Sequence, residues 1–211
     1  MKRVCFLGAS TVEGLGDEGG LGWAGRLALL NREAGHPIVS YNLGVRGQTL
    51  RQIAARAVGE CSARIQDRDQ DLIVLGTGAN DLARIATGTP RTPRRRVLED
   101  FAKLLEALAA LAGVMVVGPF PVFEAKMPFL SAASGMAFDF RNRDIEEAAE
   151  GYAEICANRQ TPFLDLYPDL SADLDYLGGL EANDGLHTDA KGYQAVARRV
   201  EAWDAWQRAT Y

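Results

Sequence analysis

A serine near the amino terminus and an Asp/His pair near the carboxyl terminus carry the most reactive chemistry in this chain. Ser10 follows the short apolar run Val4-Cys5-Phe6-Leu7 and the small pair Gly8-Ala9, so its hydroxyl stands at a sharp turn. The chain has two histidines. His36 precedes the apolar run Ile38 to Leu43, which puts it at the far end of any sheet whose opposite rim holds Ser10, as a surface or helix-terminal residue. His187 is left as the imidazole base. Asp184 lies in the same short stretch with Gly185 between, and can turn its carboxylate onto one ring nitrogen. It would then fix the tautomer and stabilise the imidazolium formed when Ser10 loses its proton. Taken singly, these residues have plainer roles: a serine after a strand as helix N-cap or phosphate contact, an aspartate in a turn, a histidine near a helix start.

Acyl transfer also needs donors aimed at the developing oxyanion. The backbone N–H of Ser10, the backbone N–H of Gly47 and the side-chain amide of Asn80 are the candidates. Glycine permits close backbone approach, and an amide donates without titrating. Gly47 as a mere turn residue and Asn80 as an N-cap are the alternatives, and Gly44 is a second possible donor in its loop.

These residues must be positioned by elements that alternate regularly. Val4–Leu7, Ile38–Leu43, Asp71–Gly76, Val114–Val117 and Phe163–Leu166 are short, apolar and rich in strand formers, the third being the most hydrophobic and so central. Helical spacing runs through Trp23, Leu27 and Leu30 to a stop at Gly35-His36-Pro37, from Leu50 to Ile65, from Val97 to Leu111 and from Asp144 to Ala157. A last helix after His187 places Tyr193, Val196, Ala197, Val200 and Trp203 on one face. The expected fold is a single three-layer α/β/α domain over residues 1–211, with a five-stranded parallel sheet, right-handed crossovers and flavodoxin-like order 2-1-3-4-5. Parallel strands end on the same side, so Ser10, Gly47, Asn80 and His187 can meet on one rim although they span most of the sequence. Glu13–Gly22, Arg84–Arg96, the aperiodic stretch Gly118–Phe140 and the acidic stretch Asp169–Asn183 read as loops.

Composition narrows the function classes. With 211 residues, 47% hydrophobic and 24% charged, the chain is long enough to bury roughly 70% of its unfolded surface in one core. A net charge of −5 and pI near 5.2 give no general attraction to nucleic acid or anionic membrane. One local basic cluster, Arg91, Arg94, Arg95 and Arg96, reads as a solvated loop and helix start. Cys5, Cys61 and Cys156 are odd in number and far apart, which points to reduced thiols and a cytoplasmic protein. The run behind Lys2-Arg3 is too short for a signal peptide, and no membrane-spanning segment is read.

The whole pattern resembles the GDSL or SGNH serine hydrolases, and the resemblance covers essentially the full chain. Gly8-Ala9-Ser10 matches the first block with Ser10 as nucleophile, and Asn42 through Gly47 and Thr49 match the second with Gly47 as oxyanion donor. Gly78-Ala79-Asn80-Asp81 matches the third with Asn80 as donor, and Asp184-Gly185-Leu186-His187 the last. The spacing of Gly47 from Asn42 and Thr49 favours it over Gly44. The resemblance implies metal-free, cofactor-free hydrolysis of small-molecule esters or thioesters through an acyl-enzyme. Ala9 departs from it, standing where the family usually has Asp, and Thr11 where Leu or Ile is common. Altered support of the turn is expected from this, with the mechanism retained.

Phe120, Phe123, Phe129 and Phe138 in the Gly118–Phe140 stretch are candidates for an acyl pocket or a mobile cover, with packing against the core as the plainer role, and Arg84 with the Arg91–Arg96 cluster for attracting an anionic leaving group. Two rival readings are a flavodoxin-like module whose Ser10-Thr11 loop cradles a phosphate, and an inactive family member that only binds. The first leaves Asn80 and the Asp184/His187 pair without work, and the chain contains no P-loop GK[ST].

Overall fold

Successive side chains of a strand point to opposite faces, and the apolar runs of this chain use both. The structure, a computed structural model, describes residues 1–132 and 134–211. Strands β1 (Arg3–Gly8), β2 (Val39–Gly44), β3 (Leu72–Gly76), β4 (Gly113–Val117) and β5 (Phe163–Leu164) form one sheet in the order β2-β1-β3-β4-β5. All four pairings are parallel, with Leu7 opposite both Leu43 and Leu75, and Leu75 opposite Val116. Helices α1 (Ser10–Glu13), α2 (Gly22–Glu33), α3 (Leu50–Ser62), α4 (Arg94–Ala109), α5 (Asn142–Asn158), α6 (Tyr167–Leu170), α7 (Leu174–Ala182), α8 (Ala190–Glu201) and α9 (Asp204–Thr210) fill the connections.

Two cores result. Cys5, Leu7, Ile73, Leu75 and Val116 leave the sheet on one side and pack with Ile53 and Cys61 of α3, Phe101 and Leu104 of α4, and Tyr152 of α5. Val4, Phe6, Val74, Met115 and Val117 leave it on the other, against Trp23 and Leu27 of α2, Tyr176 of α7, Val196 of α8 and Trp206 of α9. Phe6 meets Trp23 edge-on with centroids 5.4 Å apart, and Phe101 lies 4.4 Å from Tyr152. Complete burial of such side chains contributes roughly 1.5–3 kcal/mol each, so the sheet is held by burial on both faces.

Three segments differ from their sequence reading. Asp169–Asn183, expected as loop, contains the end of α6 and all of α7. Asp173 caps α7 by accepting from the Tyr176 N–H at 2.8 Å, and Tyr176 and Leu180 turn inward, so a few apolar residues outweigh the acidic surroundings. The fifth strand stops at Leu164 rather than Leu166, because the Asp165 carboxylate accepts from the Tyr167 N–H at 3.0 Å and takes the chain into α6. The described residues of Gly118–Phe140 also include regular structure. They hold a 3-10 turn at Glu124–Lys126 and a short antiparallel hairpin pairing Phe129–Leu130 with Ala137–Phe138, whose base is tied by Arg84 to Asp139. His36 lies on the surface, stacked on Tyr211 at 4.5 Å.

The glycine-rich connection before α2 is organised by Asp17. Its carboxylate accepts from the N–H groups of Gly19, Leu21 and Gly22 at 2.8, 3.1 and 2.7 Å and pairs with Arg26, with no side-chain exposure of its own. Burial pushes the Asp17 carboxyl up, but the Arg26 hydrogen bond and the backbone N–H groups outweigh it and hold the group below the ordinary aspartate range. A depressed carboxylate contributes stability that is present above its unfolded value and lost as pH falls through its folded one. Asp17→Asn is expected to strand the buried Arg26 and cost about 3 kcal/mol, lowering Tm by about 6–12 °C for a domain of this size. Calorimetry at pH 7 and at pH 3 checks both parts, because the gap between wild type and variant should narrow in acid.

Candidate active site

The strand-end loops meet above the carboxyl rim of the sheet. Ser10 is the first residue of α1, directly after β1, and is 7% exposed; His187 lies in the loop before α8 and is 2% exposed. The Ser10 hydroxyl donates to His187 Nε2 at 2.8 Å, across 177 residues of sequence. His187 Nδ1–H donates to Asp184 Oδ2 at 2.7 Å, and the other carboxylate oxygen accepts from the N–H groups of Leu186 and His187 at 2.9 and 2.8 Å. Burial pushes the Asp184 carboxyl up, yet the hydrogen bond and charge of His187 with the two backbone N–H groups bring it below its usual value. An ionised Asp184 accepts only, so the proton of the neutral imidazole sits on Nδ1 and Nε2 is free to accept from serine.

Ser10, Gly47, Asn80, Asp184 and His187 line one cavity of about 560 Å³. Gly47 has φ +70°, and a Cβ built on it would meet nothing within 4 Å. Glycine is therefore suited to this place by its left-handed backbone, where the sequence suggested close approach. Gly44 is the crowded one. A Cβ there would lie 2.2 Å from the Glu13 nitrogen, and the Gly44 N–H is already held by Asn42 Oδ1 at 3.0 Å. Among the described residues the Gly47 N–H has no such acceptor. As the first residue of α1, Ser10 likewise has no earlier helical carbonyl to bond.

Several residues position these groups without having stood out in the sequence. Arg56 donates to the Gly8 carbonyl at 2.9 Å and to Gln48 Oε1 at 2.6 Å, and the Gln48 carbonyl accepts from Asn80 Nδ2 at 3.0 Å. One guanidinium thus ties the strand end before Ser10 to the loops of Gly47 and Asn80. Asp81 accepts from the Leu50 N–H at 2.8 Å and the Thr92 hydroxyl at 3.1 Å, and burial raises its carboxyl above the usual range. On the far wall, Asn183 donates to the Gly16 carbonyl at 3.1 Å and the Tyr193 hydroxyl to the Leu15 carbonyl at 2.7 Å. An arginine inside a helix has no sequence mark of such work, whereas Asp17 before its glycines carried an Asx-turn signature that could have been read.

Ala9 is buried at 3%, and its carbonyl accepts from the Val12 and Glu13 N–H groups at 3.1 and 3.0 Å. The Gly8 carbonyl accepts from Val45 at 3.1 Å as well as from Arg56. Backbone groups and Arg56 hold this turn with no carboxylate at position 9.

The pocket aromatics need correction. Phe120 belongs to the core beside Val117 and Tyr176, Phe123 packs on that same core, and Phe138 packs on the opposite core under the Arg91 guanidinium at 5.3 Å. Phe129 alone of the four lines the cavity, joined by Leu130 on the hairpin and by Leu15 and Leu186. The reason is the hairpin, which presents residues 129–132 to the site. The basic residues are matched by carboxylates: Arg84 by Asp144 at 2.7 Å, Arg94 by Glu147 at 3.4 Å, Arg95 by Glu99 at 3.0 Å and Arg96 by Asp100 at 3.1 Å. No helix among the described residues is long and apolar enough to cross a membrane.

Solved structures of similar fold include a lipase/acylhydrolase from Enterococcus faecalis, 18% identical with TM-score 0.74 over 95% of this chain and 94% of that one. An M. smegmatis aryl esterase is 17% identical with TM-score 0.72 over 100% of both chains. A Clostridium thermocellum family 3 carbohydrate esterase is 17% identical with TM-score 0.73 over 100% of this chain and 99% of that one. No curated protein matches the sequence. Residues 6–195 match the model of the GDSL-like lipase/acylhydrolase family. With the match running from β1 into α8, the chain belongs to that family and is a hydrolase of ester bonds.

Proposed function

We propose that this protein is a serine esterase that works through an acyl-enzyme on Ser10. His187 Nε2 takes the hydroxyl proton as Ser10 Oγ attacks the carbonyl carbon of a small-molecule carboxylic or thio ester. Ionised Asp184 holds the ring in the accepting tautomer and offsets the charge that the ring gains. The Ser10 and Gly47 N–H groups and the second hydrogen of the Asn80 amide, beyond the one given to Gln48, receive the oxyanion. Water then repeats the sequence against the acyl-serine with the same base. No cofactor or metal enters this cycle.

The observation that carries this reading is the hydrogen-bond chain from Ser10 through His187 to Asp184, at 2.8 and 2.7 Å, opening on a cavity of about 560 Å³. That volume falls within the range of small-molecule sites, about 300–1,000 Å³. Neither a phosphate-binding module nor an inactive binding protein gives that chain a task. The M. smegmatis neighbour is named an aryl esterase and the Clostridium thermocellum neighbour a carbohydrate esterase, so the choice of alcohol has to come from this chain's own cavity. Three buried free cysteines support a reducing, cytoplasmic setting.

Ser10→Ala is expected to abolish ester turnover, with a loss of at least about 10³-fold, and to stop covalent labelling by a fluorophosphonate; unchanged rates in the purified variant would end this reading. Asp184→Asn keeps the shape but favours the wrong tautomer, so kcat is expected to drop by about 10⁴-fold; stopped-flow acylation at pH 7 measures it. Asn80→Ala removes one donor and is expected to lower kcat by about 10²–10³-fold with KM little changed, as read from steady-state kinetics with phenyl acetate.

A further inference from the structure

The position of the imidazole says which half of the ester meets which wall. In the cycle proposed above, on which this inference rests, the bond to Ser10 Oγ forms first, and the bond from the carbonyl carbon to the alcohol oxygen breaks as the oxyanion collapses. His187 then returns to that oxygen the proton it took from serine, releasing the free alcohol and leaving the acyl group on Ser10. The alcohol half must therefore lie against His187 Nε2.

Apolar side chains make up part of the lining there, beside the polar Ser131 and Asn183. Phe129 meets the His187 ring edge-on, with centroids 5.8 Å apart and planes at 75°. Leu130 and Leu186 extend the same wall. Leu130 is 67% exposed, a large apolar side chain left uncovered where the cavity opens. Of two nearby arginines, Arg46 has its charge offset by Glu13 at 2.7 Å, and Arg91 lies over Phe138 while donating to the Gly47 carbonyl at 3.4 Å.

We infer that the preferred substrates are esters of apolar alcohols, aryl or alkyl, whose alcohol half packs on Phe129 and Leu130. Esters of sugars and of phosphate-bearing alcohols would set polar surface against Phe129 and Leu130, which offer their hydroxyls and charges no hydrogen-bond partner.

The test measures kcat/KM, which reports acylation, with the purified full chain on phenyl, 4-ethylphenyl and 4-butylphenyl acetates, whose leaving groups are similar in acidity. Each methylene covered by the wall is expected to raise kcat/KM, by about fourfold when fully buried and by about twofold when half covered. Leu130→Ser, a change at an exposed position that leaves the core intact, should flatten this rise. The same variant should leave the dependence on acyl length unchanged in a 4-nitrophenyl acetate, butanoate and hexanoate series. Hexyl acetate should be turned over better than 6-O-acetylglucose, both being esters of primary alcohols. A flat or falling alkyl series, a Leu130→Ser effect confined to the acyl series, or a preference for the sugar ester would each overturn the inference while leaving esterase activity in place. Failure of the mechanism itself is distinct, since it would appear as wild-type rates in Ser10→Ala.

Discussion

The hydrogen bond between Ser10 and His187 is the constraint that the rest of this molecule serves. Its partners are separated by 177 residues, so it exists only if the first strand and the last loop are brought to one edge of the sheet. A parallel arrangement does this without special devices, because every strand delivers its following loop to the same rim. Burial on both faces fixes the sheet. The rim is therefore a rigid platform on which short loops carry the chemistry.

Around that bond the chain spends its polar groups on orientation. Asp184 folds back onto the two N–H groups of its own loop while holding the imidazole. Asn42 occupies the Gly44 N–H and reaches the Val12 carbonyl at 2.8 Å, clamping β2 to α1. Arg56 and Asp81 cross-link the loops after β1, β2 and β3. Such side chains are costly to bury unless their bonds are complete, and here they complete one another. Positioning is thereby distributed over several loops, and a turn that lacks a carboxylate at position 9 can still be held.

The cavity lining beside this polar network includes carbon as well. It comes from the hairpin at Phe129–Leu130 and from Leu15 and Leu186. Four of the basic residues that looked available for an anion, Arg84, Arg94, Arg95 and Arg96, are matched by acids on α4 and α5, and Arg91 lies over Phe138. In the proposed cycle the polar groups would meet the charge that develops at the carbonyl, and Phe129 and Leu130 would supply apolar contact.

Much of this was legible in the chain itself. Apolar runs of strand length alternating with helical periods determined the parallel sheet and its order, because burial of both faces leaves few other packings. Scarcity singled out His187 as the candidate base, since the other of only two histidines lay at the wrong end of the sheet. Local sequence could not say that α7 forms within an acidic stretch, where capping by Asp173 and the inward turn of Tyr176 decide the matter. Nor could it place Phe129 in the cavity and Phe120, Phe123 and Phe138 outside, since four aromatics in an aperiodic segment are distinguished only by how a hairpin pairs. The work of Arg56 was equally hidden, because its acceptors are carbonyl and amide oxygens from other strand ends. Residue type and period determined which groups could react and which layers would hold them; the tertiary structure decided what surrounds them, because surroundings are made by contacts distant in sequence.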